Sequence, residues 1–195
     1  MMIAPAWAKT LTIVALGDSL TAGYGLDPSQ AFPVKLEQAL KARGHDVVVV
    51  NAGVAGDTAL DGLSRLDWAL APEVGAAIVE FGANDALRGL PPAQAEAALD
   101  GLLTKLGEKR IPALLAGMRA PPNLGPDYVA AFDGMYPRLA QKHGALLYPF
   151  FLDGVAADIA LNQADGLHPT AAGVDVIVAR ILPFVEDLVT RAAAK

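Results

Sequence analysis

Near-continuous apolar runs constrain the fold of this chain more than any other feature. They are LTIVAL (11–16), DVVVVNA (46–52), AAIVEF (76–81), IPALLAGM (111–118) and the weaker ALLYPF (145–150). Apolar and polar residues do not alternate within these runs, which is typical of strands covered on both faces. We therefore predict about five parallel strands.

Segments with helical periodicity separate the runs. Phe32, Leu36 and Leu40 recur at helical spacing, and a closing helix is predicted from about Pro169 to Ala192, with Pro183 as a candidate kink. A further stripe comprises Ala95, Leu99, Leu102, Leu103 and Leu106. Strands that alternate with helices predict an α/β protein of three layers, α/β/α, with right-handed crossovers.

Length and charge limit the classes of protein. A chain of 195 residues suits one domain, which we place at residues 9–195. The formal net charge of -6 argues against a nucleic-acid binder, because such proteins need a basic face. No run approaches the roughly 20 apolar residues of a spanning helix, so we expect no stable membrane insertion. The oligomeric state stays open, with a monomer favoured.

The first residues resemble the end of a signal peptide. Ala6-Trp7-Ala8 before Lys9 matches an A-x-A cleavage site, although a charged region and a long apolar core are missing. We expect residues 1–8 to be a signal-peptide remnant and the protein to be periplasmic or secreted. A cytoplasmic protein is the alternative if the N-terminus is a genuine start. The chain has no cysteine, so cysteine usage does not decide the compartment.

Polar motifs follow the predicted strands at their carboxyl ends. GDSL follows the first strand, NAGVAGDT overlaps the end of the second, and GANDALRG follows the third. ADGLHPTAAG lies between the fifth strand and the last helix. In a parallel sheet these ends share one rim, where ligands bind. We expect the motifs to surround one cleft.

Only one of the three serines suits a nucleophile. Ser19 lies at a strand-to-helix junction, where its hydroxyl can face the cleft and its N–H can point at a ligand. Ser29 suits a cap or turn, and Ser64 lies in a helical pattern. A serine hydroxyl needs a base to accept its proton and a third group to orient that base.

His168 is the best candidate for the base. Asp165 precedes it by three residues in DGLH, so one tight turn can bring a carboxylate to Nδ1 and leave Nε2 for Ser19. His45 and His143 lie near the amino ends of strands, on the opposite rim. Acyl transfer also needs donors for a developing oxyanion. Ser19 N–H, a backbone N–H of NAGVAGDT and the side chain of Asn84 are candidates.

Together these motifs resemble the SGNH hydrolase superfamily, also called the GDSL esterases. Its four motif blocks occur here in order, across nearly the whole chain. The resemblance implies a five-stranded flavodoxin-like sheet and a catalytic triad of Ser19, His168 and Asp165. It also implies an oxyanion hole formed by Ser19 N–H, Gly53 N–H and Asn84 Nδ2. The implied reaction is hydrolysis of acyl esters and thioesters without a cofactor.

Longer stretches, such as LGDSLTAGYG and DGLHPTAAG, are similar to those of bacterial family members with thioesterase, lysophospholipase and arylesterase activity. In such proteins the loop after the Asn block shapes the acyl groove, and here it is residues 86–90. One departure is Ala83, which replaces the second glycine of GGND. The Pro-rich residues 120–126 are a hypothetical further wall of the acyl site.

Two other functions remain open alternatives: a carbohydrate O-deacetylase on the same scaffold, and a binding module that has lost turnover. A metal site is not expected, because the histidines are scattered and no H-E-x-x-H occurs. Three further acids lie beside key residues of the motifs. We expect Asp18, Asp57 and Asp85 to order their loops through hydrogen bonds to backbone N–H groups.

Overall fold

The strands form one parallel sheet. The computed structural model describes residues 10–194, and the proposed signal-peptide remnant, residues 1–8, lies outside them. The strands are β1 (Leu11–Gly17), β2 (Val47–Gly53), β3 (Val74–Glu80), β4 (Ala113–Ala116) and β5 (Leu146–Tyr148). Their order is β2-β1-β3-β4-β5, with every neighbouring pair parallel. This flavodoxin-like order confirms the predicted sheet.

Helices follow the strands and cover both faces of the sheet. They are α1 (Ser19–Ala22), α2 (Phe32–Ala42), α3 (Ala59–Ser64), α4 (Leu66–Ala69), α5 (Ala83–Leu87), α6 (Pro92–Glu108), α7 (Pro126–His143) and α8 (Ala171–Ala193). One layer contains α2 and α8, and the other contains α3, α6 and α7. The predicted three layers are therefore confirmed.

The closing helix is continuous. α8 runs through Pro183 without ending there, so the candidate kink does not divide it. A proline also lies inside α7, at Pro137. Across residues 10–194, no helix combines the length and the apolar character that a bilayer crossing requires.

The central strands are buried, whereas β2 is not fully covered. Ile13 to Leu16 of β1 and Ala76 to Val79 of β3 have no exposed surface. Val48 and Val50 of β2 are 40% and 41% exposed. The prediction that every run is covered on both faces is therefore wrong for β2. The reason is that β2 is the edge strand, and α2 packs against one of its faces.

The ends of β1 and β2 leave no room for side chains beside α1. Gly17 and Gly53 are register partners. A Cβ on Gly53 would lie 2.8 Å from Ala22 Cα, and one on Gly17 would lie 2.7 Å from Thr21 Cβ. Glycine at both positions therefore lets the turn after β1 pack against its neighbours.

A fully buried glutamate ends β3 beneath this turn. Thr21 Oγ1 donates a hydrogen bond to Glu80 Oε2 at 2.8 Å, which ties α1 to β3. Glu80 Oε1 has no hydrogen-bond partner among residues 10–194. Burial raises the pKa of Glu80 well above its usual value of 4.5, and the nearby Asp18 carboxylate raises it further. Glu80 therefore keeps its proton well above the pH at which an exposed glutamate ionises.

Two glycine substitutions should change stability in opposite directions. In Gly62→Ala the new Cβ would lie 2.7 Å from a ring carbon of Phe81, and we expect a loss of about 1–3 kcal/mol from overpacking. Gly107→Ala is the control, because a Cβ there meets no atom within 4 Å. In α6 it should add about 0.4–1 kcal/mol. Urea unfolding measures both, and equal stabilities would contradict the close packing of α3.

Replacing Glu80 by Gln should change how stability depends on pH. Above pH 4.5 the unfolded chain loses the Glu80 proton that the folded protein retains, so wild-type stability falls as pH rises. Relative to the wild type, Glu80→Gln should gain up to about 1.4 kcal/mol per pH unit until Glu80 ionises. Urea unfolding at about pH 5, 7 and 9 measures the difference. A constant difference between the two proteins would contradict a neutral Glu80.

Candidate active site

The turn after β1 presents Ser19 at the start of α1. Asp18 is the N-cap of this helix, and its Oδ1 accepts the Leu20 N–H at 2.9 Å. Gly23, with φ of 84°, ends the helix after one turn. Ser19 lines the cavity described below. Its N–H donates to no acceptor among the described residues, as is usual in the first turn of a helix.

Ser19, His168 and Asp165 lie in one hydrogen-bonded row. His168 Nε2 is 2.9 Å from Ser19 Oγ, and His168 Nδ1 is 2.7 Å from Asp165 Oδ2. A carboxylate can only accept a hydrogen bond, so Nδ1 carries a proton and donates a hydrogen bond to Asp165. In the neutral ring, Nε2 is then free to accept the Ser19 O–H.

The turn between Asp165 and His168 is held by backbone hydrogen bonds. Asp165 Oδ1 accepts the N–H of Leu167 at 2.9 Å and that of His168 at 3.0 Å. The Gln163 backbone N–H donates to His168 O at 2.7 Å, and the side-chain Nε2 of Gln163 donates to Pro169 O at 2.9 Å. These contacts fix the position of the imidazole before α8 begins.

Two carboxyl groups near the row have shifted pKa values. The hydrogen bond from the His168 ring, with help from the backbone N–H groups, lowers the pKa of Asp165 to about 2. Asp165 is therefore ionised at any pH where the protein is expected to work. Burial raises the pKa of Asp18 to about 6, although hydrogen bonds from Leu20 and Asn84 oppose the shift.

The predicted oxyanion donors differ in whether they already donate a hydrogen bond within the protein. Asn84 Nδ2 donates to Asp18 Oδ2 at 3.1 Å and to Asp57 O at 3.0 Å. The Gly53 N–H donates to Asn51 Oδ1 at 3.0 Å. The Ser19 N–H is thus the one predicted donor with no acceptor among the described residues.

The three acids beside these residues have different partners. Asp18 and Asp85 accept backbone N–H groups, since Asp85 Oδ2 accepts that of Ala59 at 3.0 Å. The expected use of Asp57 is wrong, because its carboxylate pairs with Arg65 Nε at 2.6 Å. Asp57 pairs with Arg65 and not with a backbone N–H, because the end of α3 brings the Arg65 guanidinium to the loop that contains Asp57.

The remaining serines and histidines take part in other contacts. Ser29 donates to Asp27 Oδ1 at 2.6 Å, and Ser64 donates to Asp61 O at 2.6 Å. His45 Nε2 lies 3.3 Å from Glu186 Oε1. His143 Nε2 lies 2.6 Å from Asp100 Oδ1. Each of these groups is bonded away from Ser19.

A mostly apolar cavity of about 540 Å³ opens beside Ser19, Asn84 and His168. Ala86 and Leu87, from the short helix α5 that follows β3, line it. Other walls come from the loops after β4 and β5, and they include Ala120, Pro121, Pro122, Phe150 and Leu152. Parts of both loops singled out in the sequence, residues 86–90 and 120–126, therefore lie at this cavity.

Sequence reasoning missed one aromatic contact with the imidazole. The ring centroids of Tyr24 and His168 are 4.5 Å apart, with an angle of 37° between the ring planes. Gln163 Nε2 also donates to Tyr24 O at 2.8 Å, which ties the two segments together. Tyr24 lies within GDSLTAGYG, but nothing in that motif says which residue its ring contacts.

Relatives with known names agree with the family suggested by the motifs. "Esterase TesA" of Pseudomonas aeruginosa is 40% identical over 182 residues, which cover 93% of this chain and 90% of that protein. "Thioesterase 1/protease 1/lysophospholipase L1" of Escherichia coli is 38% identical over 159 residues, which cover 81% of this chain and 75% of that protein.

Solved structures share the fold. AlinE4, an SGNH-hydrolase family esterase, has a TM-score of 0.78 and 48% identity, over 93% of this chain and 98% of that one. The psychrotrophic esterase EstA from Pseudoalteromonas sp., inhibited by monoethylphosphonate, has a TM-score of 0.85 and 32% identity, over 90% and 97% of the two chains. The GDSL-like lipase/acylhydrolase family matches residues 15–176. The expected family is confirmed, and this chain belongs to the GDSL-like lipase/acylhydrolase family.

Proposed function

We propose that this esterase hydrolyses carboxylic acyl esters, and also acyl thioesters or lysophospholipids, through an acyl-enzyme on Ser19. The observation that carries the proposal is the row of Ser19, His168 and Asp165 at the mouth of an apolar cavity. The names of the relatives, which include esterase, thioesterase and lysophospholipase, favour this chemistry over a carbohydrate O-deacetylase.

In the first half of the reaction, Ser19 Oγ attacks the carbonyl carbon while His168 Nε2 takes the hydroxyl proton. The Asp165 carboxylate stabilises the imidazolium that forms. When the tetrahedral intermediate collapses, the carbon–oxygen or carbon–sulfur bond breaks and His168 protonates the departing alcohol or thiol. Water then attacks the acyl-enzyme by the same route and releases the carboxylic acid.

The oxyanion hole would form around the Ser19 N–H. This donor has no competing acceptor among the described residues, so no protein hydrogen bond is lost when it binds the oxyanion. The Gly53 N–H would have to share or leave Asn51 Oδ1, and Asn84 Nδ2 would have to share or leave Asp57 O. Removing one oxyanion donor typically costs about 2.7–4 kcal/mol of transition-state stabilisation.

The location of the protein is a separate proposal. We infer export to the periplasm or beyond from Ala6-Trp7-Ala8, which lies outside the described residues.

Replacing Ser19 by Ala should abolish both turnover and covalent labelling. We expect kcat for 4-nitrophenyl butyrate to fall at least about 1,000-fold, because the nucleophile is lost. A fluorophosphonate should label the wild type at one site per chain and leave Ser19→Ala unlabelled. Ser64→Ala is the matched control, since that hydroxyl only donates to Asp61 O. Labelling of Ser19→Ala at the wild-type rate would contradict the assignment, and unlabelled, inactive wild type would indicate a binding module.

The acyl chain length should separate a long-chain esterase from a deacetylase. The apolar cavity beside Ser19 predicts that kcat/KM for 4-nitrophenyl esters rises from the acetyl ester toward medium chains. A panel with acyl chains of about two to sixteen carbons, together with an acetylated sugar, measures this. Activity restricted to acetyl groups would instead support the deacetylase.

A further inference from the structure

One permanent positive charge lies on the wall of the active-site cavity. Arg119, three residues after the end of β4, is the only Lys, Arg, Asp or Glu among the described residues that line it. The rest of the lining is mostly apolar, apart from Ser19, Asn84, Asn162 and His168. A neutral acyl ester has no charge to pair with Arg119, whereas a lysophospholipid has one, and the proposed function does not say which residue would bind such a charge.

The guanidinium of Arg119 is held over an aromatic ring. Its Cζ lies 4.8 Å from the ring centroid of Phe150, which follows β5 and lines the same cavity. A contact of this length is a cation–π interaction, which orients the guanidinium without neutralising its charge.

Arg119 forms no ion pair with a carboxylate of the described residues. Arg65, Arg138 and Arg180 each pair with a carboxylate, whereas Arg119 takes part in no ion pair or side-chain hydrogen bond within residues 10–194. Asp133, the carboxylate beside this loop, instead accepts the Ala120 N–H at 2.9 Å. An arginine without a carboxylate partner, in a chain of net charge -6, has its N–H donors available to a ligand.

The sheet order places the loop that carries Arg119 two strands away from the turn that carries Ser19. β4 lies two strands from β1, with β3 between them. Since neighbouring strands are about 4.8 Å apart, the backbone at the end of β4 lies roughly 10 Å from the nucleophile turn. The cavity spans this distance, because Ser19 and Arg119 both line it.

We propose that Arg119 binds an anionic group, a carboxylate or a phosphate, that the substrate carries at the far side of the cavity from its scissile carbonyl. This inference rests on the proposed function and names the substrate class of the same site. Either the leaving alcohol or the far end of the acyl chain can carry the anion. Two N–H groups of a guanidinium can donate together to two oxygens of a carboxylate or of a phosphate. The two candidate groups therefore have the same mode of binding to Arg119.

The test compares matched neutral and anionic substrates. One arm pairs 1-octanoylglycerol with 1-octanoylglycerol 3-phosphate, which places the charge on the leaving alcohol. The other arm pairs methyl 4-nitrophenyl octanedioate, which is neutral, with mono-4-nitrophenyl octanedioate. The free carboxylate of the second compound places the charge at the far end of the acyl chain. KM and kcat are measured for the wild type, Arg119→Gln, Arg119→Lys and the control Arg110→Gln, which removes an exposed arginine beyond α6.

We expect Arg119→Gln to raise KM about 10-fold for the anionic member of one arm, with the neutral member changed less than about twofold. Arg119→Lys should retain part of the preference, and Arg110→Gln all of it. The arm that responds identifies where the substrate carries its charge. Equal effects of Arg119→Gln on neutral and anionic members in both arms would overturn the inference while leaving the esterase proposal intact. A wild type that hydrolyses no member of either arm and is not labelled by the fluorophosphonate would overturn both.

Discussion

The candidate site depends on the buried carboxylate of Asp18. One of its oxygens caps α1 at the Leu20 N–H, and the other accepts from Asn84 Nδ2 on the loop after β3. This single side chain therefore sets the turn that carries Ser19 and joins it to the neighbouring loop. Because Asp18 has no exposed surface, both hydrogen bonds are shielded from water, and losing either would leave a buried oxygen without a partner.

Contacts hold the turn that carries Ser19 and also the segment that carries His168. Glycines at the ends of β1 and β2 let α1 pack closely, and Glu80 holds it from below through Thr21. On the opposite side, Gln163 braces the backbone of His168. Under the proposed function, groups held in this way would need little rearrangement when an ester binds, and such preorganisation is a main source of enzymatic rate enhancement.

Much of this arrangement follows from local sequence patterns. Continuous apolar runs predicted the parallel sheet, and the rule that ligands bind at carboxyl strand ends predicted that Ser19 and His168 would meet. Features that depend on partners distant in sequence were not predictable. The exposure of Val48 follows from the edge position of β2, and the pairing of Asp57 with Arg65 follows from the placement of α3. The Tyr24 and Arg119 contacts likewise require three-dimensional packing, because no periodicity encodes which ring a side chain meets.

The Ser19–His168 hydrogen bond joins residues 149 positions apart in the chain. During synthesis the turn that carries Ser19 leaves the ribosome long before His168 has been made. A nascent or truncated chain that stops short of the DGLH turn therefore holds Ser19 without its imidazole partner, whatever part of the sheet it has formed. Closing so long a loop is entropically costly and is favoured only once the intervening layers have packed. The row of Ser19, His168 and Asp165 is thus completed only when the segments after β1 and before α8 have been brought together.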